Sequence, residues 1–372
     1  MGKKVENVTI LGGGNGAFCA GADLTLRGFN VTIYEDPRFK QNVEGLIAND
    51  NVINLTGPGP VGAAKIKKVT CDLADAVKDA DIVMPISPAF AQESVAKTLV
   101  PILKDAEEPI VIFLCPGSCG GSLVYGKVFH EAGVYDKALL CEVNTLPYAT
   151  RKVDAHTVRM ILRDPEIFFA AFPSKNGPEL FEMVKPMFDS VVLFDDVLET
   201  ALNNGNIDSH ATPVVLNAGK IEYYGKHAHY REGITPSVAR VNDKVNQERM
   251  AVCEALGYQK IDIRERLERT GYCKACESLY DTYQTSKDIF MTIEGPNKLS
   301  ERYLTEDAPC SLVFVANLAH AIGVDTPIMD SVTNLASALM DQDYWVTGRT
   351  LDKVGLDGKN KEEILKFVKE GY

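Results

Sequence analysis

The chain has 372 residues, with Lys and Arg totalling 39 against 51 Asp and Glu, a formal net charge of −12. Hydrophobic residues at 45% and charged residues at 24% exclude a chain disordered as a whole. The acidic balance argues against nucleic acid or an anionic membrane as partner, because both demand a clustered basic face. The length suits two domains, each able to bury its own core. No run reaches the roughly 18 to 20 apolar residues of a membrane span. The opening stretch from Met1 to Asn7 lacks the apolar run of a secretory leader, and Glu6 stands where a myristoylation site takes Ser or Thr. Nine scattered cysteines, an odd count, read as the reduced thiols of a cytoplasmic protein.

The first third alternates strand and helix. Val8–Leu11 is a short apolar run stopped by glycines. A helical pattern follows from Ala17 to Arg27 and ends at Gly28. Val31–Tyr34 reads as the next strand, and Asp81–Met84 and Ile110–Leu114 as later ones, nearly all apolar as parallel strands covered on both faces are. Phe90–Leu103 reads as a helix between them. This is βαβ order and predicts a doubly wound parallel sheet. Residues 51–64, with Gly57-Pro58-Gly59-Pro60, read as a turn-rich excursion on that sheet. Ala138–Asn144, Val158–Leu162 and Val191–Phe194 are further strand candidates. Beyond about residue 196, segments 211–224, 237–256, 311–321 and 328–339 carry the 3.6-residue period. The expectation is an α/β chain: a Rossmann-type sheet domain over 1–195, then a mainly helical domain over 196–372.

Gly12-Gly13-Gly14-Asn15-Gly16-Ala17 fits G-x-G-x-x-A through Gly12, Gly14 and Ala17. The first glycine makes the tight turn, the second admits a pyrophosphate to the backbone, and the third small residue lets helix pack on strand. Asn15 and Gly16 complete the loop. Glu35 closes the next strand, where a carboxylate accepts the ribose hydroxyls of NAD. Arg38, three residues on, is placed to reach the 2′-phosphate of NADP. NAD is the expected cofactor, with NADP open. Cys115-Pro116-Gly117-Ser118-Cys119-Gly120-Gly121 follows a strand at its carboxyl end, and its glycines read as cofactor-side backbone.

The helical half must supply the chemistry. His210 precedes the predicted helix from Ala211, and Arg302 and Asp307 stand at a second helix entry. A histidine gains and loses a proton near neutral pH. A carboxylate beside it fixes the tautomer, and an arginine can clamp a substrate carboxylate with two hydrogen bonds. On spacing alone, His210 and Asp307 serve equally as helix caps and Arg302 as half of a surface ion pair.

Taken nearly end to end, the chain resembles the octopine/nopaline dehydrogenases, the opine dehydrogenase family, whose C-terminal domain is like that of phosphogluconate dehydrogenases. The resemblance rests on the glycine loop, on Cys141-Glu142-Val143-Asn144-Thr145-Leu146-Pro147-Tyr148-Ala149-Thr150-Arg151 and on His210 with Leu216-Asn217-Ala218-Gly219. It extends over Arg302-Tyr303-Leu304-Thr305-Glu306-Asp307-Ala308-Pro309 and Gly348-Arg349-Thr350-Leu351. It implies NAD(P)H-dependent reductive condensation of an α-keto acid, such as pyruvate, with an amino acid through an imine. It further implies His210 as acid/base, Asp307 as its partner, Arg302 as carboxylate binder and Thr145 near the substrate. The chain departs from the expected pattern in having Ala211-Thr212 before Pro213, and Val143-Asn144 between Glu142 and Thr145.

A ketopantoate-reductase-like or hydroxy-acid dehydrogenase acting on a keto acid alone is the alternative, kept by Lys220. A non-catalytic NAD sensor would need only the glycine loop. Small molecules are the expected partners, with a homodimer open. Cys273-Lys274-Ala275-Cys276 lacks a second pair at zinc spacing, and His227-Ala228-His229 lacks accompanying ligands, so no metal site is expected.

Overall fold

The computed structural model describes residues 4–291 and 293–372. Met1, Gly2 and Lys3, part of the stretch read for a leader or lipid signal, lie outside the described residues. Twelve strands are assigned among those described: β1 (Asn7–Leu11), β2 (Asn30–Tyr34), β3 (Val52–Thr56), β4 (Gly62–Lys65), β5 (Lys68–Thr70), β6 (Ile82–Pro85), β7 (Ile110–Leu114), β8 (Ala138–Val143), β9 (Tyr148–Lys152), β10 (Thr157–Arg163), β11 (Ile167–Phe172) and β12 (Val191–Leu193). Eight form the main sheet in the order β12-β11-β8-β7-β6-β1-β2-β5. Its pairs are parallel except β11 with β8, which run antiparallel. The apolar runs predicted as parallel strands are its centre: every residue of β6 is buried, and so are four of the five in β1 and in β7. β11 is a strand the sequence reading does not name, although it too is all apolar and all buried.

Residues 51–64 are not an excursion on that sheet. β3 and β4 join β9 and β10 in a separate four-stranded sheet of order β4-β3-β10-β9. Residues 158–162, expected as a strand, are one, but of this second sheet. The reason is the pattern. Ile53 and Leu55 alternate with less buried neighbours in β3, as do Val158 and Met160 in β10. Such strands suit a sheet with one covered face. The helix Asn15–Leu26 is clamped by both sheets and is buried from Gly16 through Leu24. A Cβ on its Gly21 would sit 3.1 Å from Ile33 and 3.6 Å from Ile66. A helix buried on all sides must be apolar all round. Its one charge in that stretch, Asp23, accepts a 2.7 Å hydrogen bond from Tyr148 Oη.

The predicted helix at 90–103 is a 3₁₀ turn, Ala89–Ala91, continued by the helix Gln92–Asp105. After β12 the chain is helical. The segment expected at 211–224 breaks at Asn217 into Ala211–Leu216 and Ala218–Tyr224. Asn217 Nδ2 donates to the carbonyls of Pro213 (2.7 Å) and Gly233 (2.9 Å), a side chain competing with the helix ladder. Pro236–Leu256, Val313–Ala321 and Pro327–Met340 match the remaining periodic segments. No helix among the described residues is long and apolar enough to cross a membrane.

Candidate active site

A cleft of about 620 Å³ lies between the carboxyl ends of the central strands and the helical half. Open α/β sheets bind ligands at that edge. The glycine loop lines it. Gly12 has φ +131°, and a Cβ there would lie 2.8 Å from the Ile86 carbonyl oxygen, so only glycine fits the turn. Gly14 faces open space. The helix Asn15–Leu26 opens at Gly14 with no side chain capping it, which leaves its first amides to a ligand. A Cβ on Gly16 would press on Ile86 and Leu146 at 3.0 Å, and Ala17 is fully buried. Asn15 Oδ1 accepts the Lys152 backbone N–H (2.9 Å), tying the loop to β9. Glu35 is nearly buried at the end of β2. It accepts the Asp36 backbone N–H on Oε1 and Asn42 Nδ2 on Oε2, both at 2.9 Å. Arg38 lines the cleft but pairs with Asp36, Nε to Oδ1 at 2.9 Å and Nη2 to Oδ2 at 2.7 Å. These residues fit a dinucleotide. The loop leaves room for a pyrophosphate, and Glu35 presents a fixed carboxylate beside it.

On the helical side, the short helix Asn206–Ser209 ends at His210. Two residues before His210, Asp208 is fully buried and takes two bonds from Arg266 Nη2, at 2.6 and 2.8 Å. Arg249, also fully buried, stands 3.6 Å from Asp208 and donates to the Leu202 carbonyl (3.1 Å) and to Asn246 Oδ1 (2.7 Å). A buried charge cluster therefore sets the helix that presents the histidine.

His210 Nδ1 lies 2.8 Å from Asp307 Oδ2, and Nε2 lies 3.1 Å from Tyr230 Oη. A carboxylate accepts only, so the neutral ring donates from Nδ1 and accepts the tyrosine hydroxyl at Nε2. Asp307 precedes a π-helical turn, Ala308–Leu312, yet makes no capping bond there. Its carboxylate serves the histidine instead. Burial raises the Asp307 carboxyl, and the His210 ring opposes that rise. Tyr303 packs its ring 4.1 Å from that of His210. Behind them His229 is fully buried and donates from Nε2 to the Ser209 carbonyl at 2.9 Å; burial pushes its ring pKa down to about 3.

Arg302 lines the cleft and is held by Glu306 through its Nε. Glu306 is nearly buried, and its other oxygen accepts the Ala89 backbone N–H at 2.8 Å. Thr145 also lines the cleft, just beyond β8. The proposed catalytic, substrate and dinucleotide residues thus border this cleft, except Asp307, which stands directly behind His210; Gly117, Gly120 and Gly121, expected as cofactor-side backbone, do not line it and pack instead against Glu142, Phe314 and Gln92. Pro116 and Ser118 line it as well, while Cys115 and Cys119 are buried; burial raises both thiols, Cys119 to about 12. Sequence reasoning left three contributors undecided or unseen. Tyr230 follows no motif. Glu306 stands in the quoted stretch from Arg302 to Pro309 without an assigned task. Arg349 stands in the quoted Gly348-Arg349-Thr350-Leu351 stretch without an assigned task. Lys220 does not border the cleft and pairs with Glu232 at 3.5 Å. Among the described residues no group of three or more His, Cys, Asp or Glu is placed to hold a metal.

A family profile described as NAD/NADP octopine/nopaline dehydrogenase, alpha-helical domain, matches residues 193–340. An opine dehydrogenase of Arthrobacter sp. (strain 1C) is 31% identical over 365 residues, 98% of this chain and 99% of the relative. The chain belongs to the opine dehydrogenase family. Its reaction class is that of an NAD(P)-dependent oxidoreductase acting on CH–NH groups, joining an α-keto acid to an amino acid through an imine. Solved opine dehydrogenases share the fold. An octopine dehydrogenase with NADH and L-arginine aligns with TM-score 0.75 at 19% identity, over 97% of this chain and 98% of that one. An NADP+-bound yersinopine dehydrogenase aligns with TM-score 0.72 at 16% identity, over 98% of each.

Proposed function

We propose that this opine dehydrogenase uses His210 as its acid/base, with Asp307 as the group that orients and charges it. The observation that carries this is the chain Asp307–His210–Tyr230, open to the cleft at the histidine Nε2 side. Arg302, steadied by Glu306, binds the carboxylate of the keto acid, and Thr145 borders that substrate. Pyruvate is the proposed keto acid; the octopine dehydrogenase to which the chain is similar has been solved with NADH and pyruvate.

The reaction needs few parts. The amine attacks the keto carbon, water leaves, and the imine must carry a proton to accept a hydride readily. When bound, the reduced nicotinamide supplies that hydride. His210 as imidazolium gives or stabilises the imine proton from Nε2, and Asp307 stabilises the charged ring from Nδ1. The Tyr230 hydroxyl holds Nε2 until substrate takes its place. The cleft walls exclude water that would hydrolyse the imine.

Gly12, Gly14, Asn15, Gly16 and Ala17 form the proposed pyrophosphate cradle, and Glu35 the ribose acceptor. NAD is proposed over NADP because Glu35 and Asp36 would face a 2′-phosphate, and Arg38 is already committed to Asp36. A division at residues 1–195 and 196–372 agrees with the last strand, β12, ending at Leu193. A cytoplasmic site of action fits nine free cysteines. A homodimer through the helical half is part of the proposal, supported by exposed Leu335, Leu339 and Val346 on adjoining helices; light scattering tests it.

The deciding experiment follows NADH oxidation with pyruvate and an amino-acid panel, leaving out each substrate in turn. Oxidation that requires both substrates is expected. Full turnover by His210→Ala with unchanged NADH binding would remove His210 from the mechanism.

A further inference from the structure

On the helical side the cleft ends in a wall of rings. Tyr230, Tyr272 and Phe290 line it with Leu267 and Ile293. The rings of Tyr230 and Phe290 stack at 3.8 Å and 20°, and Tyr272 stacks on Phe290 at 4.9 Å and 24°. They belong to one apolar cluster, with Tyr283 fully buried beneath.

The charges on this side are cationic or already engaged. Arg151, at the exposed end of β9, lines the cleft and donates to the carbonyl of its neighbour Thr150 at 3.0 Å. It shares that cleft with Tyr272, Tyr303 and His210, and its charge favours the ionised form of both tyrosines. Arg266 also lines the cleft, bound to buried Asp208. Glu306 is engaged by Arg302 and the Ala89 N–H, and Asp307 by His210. Asp164 acts on Tyr272 from behind but is fully buried, and burial holds its carboxyl well above the ordinary carboxylate range. Among the residues that line the cleft, the carboxylate on this side is Glu306, and it is engaged; Glu301, whose charge also reaches Tyr303, does not line the cleft and accepts the Asn297 N–H at 3.0 Å.

A side chain entering here loses its water. Aliphatic carbon or a phenyl ring gains from that burial and packs against the rings. An ammonium or guanidinium loses solvation with two arginines nearby and no counter-charge. Stacking does not rescue it, because Phe290 already carries Tyr230 and Tyr272 stacked on it, and ring edges are positive.

We infer that the amine substrate is an α-amino acid with an apolar side chain, aliphatic or aromatic, packed on Phe290, Tyr272 and Ile293, with its α-carboxylate on Arg151. This rests on the opine-type reaction and names its second substrate. Arg302 and Arg151 then hold one carboxylate each, on either side of the carbon–nitrogen bond that forms next to His210. The wall reads the side chain; Arg151 requires the acid.

The test is NADH oxidation with pyruvate fixed and each amine varied: L-leucine, L-methionine and L-phenylalanine against L-arginine, L-lysine and L-glutamate. The best apolar amino acid is expected to exceed every charged one by about tenfold or more in kcat/KM. Phe290→Ala raises KM for phenylalanine by about tenfold, with the KM for pyruvate moving far less. Ile293→Asp, which adds the missing carboxylate, shifts the ratio of lysine to leucine turnover towards lysine. Arg151→Gln narrows the preference for leucine over isopentylamine, its counterpart without the carboxylate. An absolute amine requirement met best by arginine, lysine or glutamate overturns the apolar assignment and leaves the opine reaction standing. Oxidation with pyruvate at a rate independent of any amine overturns both. An Arg151→Gln enzyme that keeps the full leucine-to-isopentylamine ratio overturns the role of Arg151.

Discussion

Asp307 has two calls on its position: it precedes a helical turn, and it reaches a histidine. The geometry favours the second, with a 2.8 Å bond to His210 Nδ1 and no capping bond. Removing its charge removes the partner of the imidazolium and lets the ring turn or change tautomer. Asp307→Asn is expected to lower kcat by about 100-fold or more, while NADH affinity by fluorescence titration stays near that of the unchanged enzyme. His229 makes a separate statement about pH. It is neutral when folded, with its pKa at about 3, against 6.5 for a free ring. As pH falls below 6.5 the unfolded chain binds a proton the folded chain refuses. Stability from this residue is therefore complete above 6.5 and is lost towards 3, at about 1.4 kcal/mol per pH unit. Urea unfolding from pH 7 to pH 4 checks it: His229→Gln, which keeps an N–H for the Ser209 carbonyl, flattens the slope by about that amount.

The helix Asn206–Ser209 spans four residues, too short to stand on its own propensity. It holds because Asp208 is locked to Arg266 on the helix Ile263–Arg269, beside Arg249 on Pro236–Leu256. Three elements far apart in sequence meet at one buried carboxylate, and His210 is the next residue but one. Breaking such a cluster from one side leaves buried arginines without their counter-charge. Asp208→Asn is expected to cost about 3–5 kcal/mol in urea unfolding. In the fraction that stays folded, kcat falls more than the NADH KM rises, because the histidine loses its platform while the glycine loop is untouched. An unaltered unfolding midpoint would show that the cluster is ornamental to the helix.

Across the whole molecule, one contiguous core joins sheet and helical half, running from Leu11 and Val83 through Val214 and Phe314 to Val368. Above it, the two halves are fastened at the peptide of Ala89. Glu306 accepts the Ala89 N–H at 2.8 Å, and Arg349 Nη2 donates to the Ala89 carbonyl at 2.8 Å and to Gln92 Oε1 at 2.6 Å. Arg349 Nη1 also donates to the Cys119 carbonyl. Two neighbours of this clasp, Ser87 and Pro88, line the cleft, so the substrate clamp, the cofactor-side loop and the domain contact share one set of bonds. Arg349→Ala strands three buried acceptors and is expected to cost about 3 kcal/mol or more in thermal or urea unfolding. Arg349→Lys recovers only part of this, because an ammonium cannot present the same fork. The KM for NADH should rise in both, since the loop at Ser87–Pro88 loses its anchor.

Local chemistry made much of this protein legible from its residues. Gly12 admits no alternative, because its positive φ and the nearby Ile86 carbonyl reject a side chain, and Gly16 is crowded by Ile86 and Leu146; the apolar runs of β1, β6 and β7 declare strands buried on both faces. His210, Arg302 and Asp307 were visible as residue types suited to imine chemistry, but each was equally a cap or a surface ion. Only the fold brought His210 and Asp307, 97 positions apart, to hydrogen-bond distance. Only the fold assigned β3, β4, β9 and β10 to a second sheet, since strand partners are chosen by long-range packing and not by the strand itself. Tyr230, Tyr272 and Phe290 fall outside every helix or strand read from the sequence, and nothing local sets them apart from other aromatic residues. Their stacking into the wall of a cleft depends on three separate turns converging, which no local pattern records.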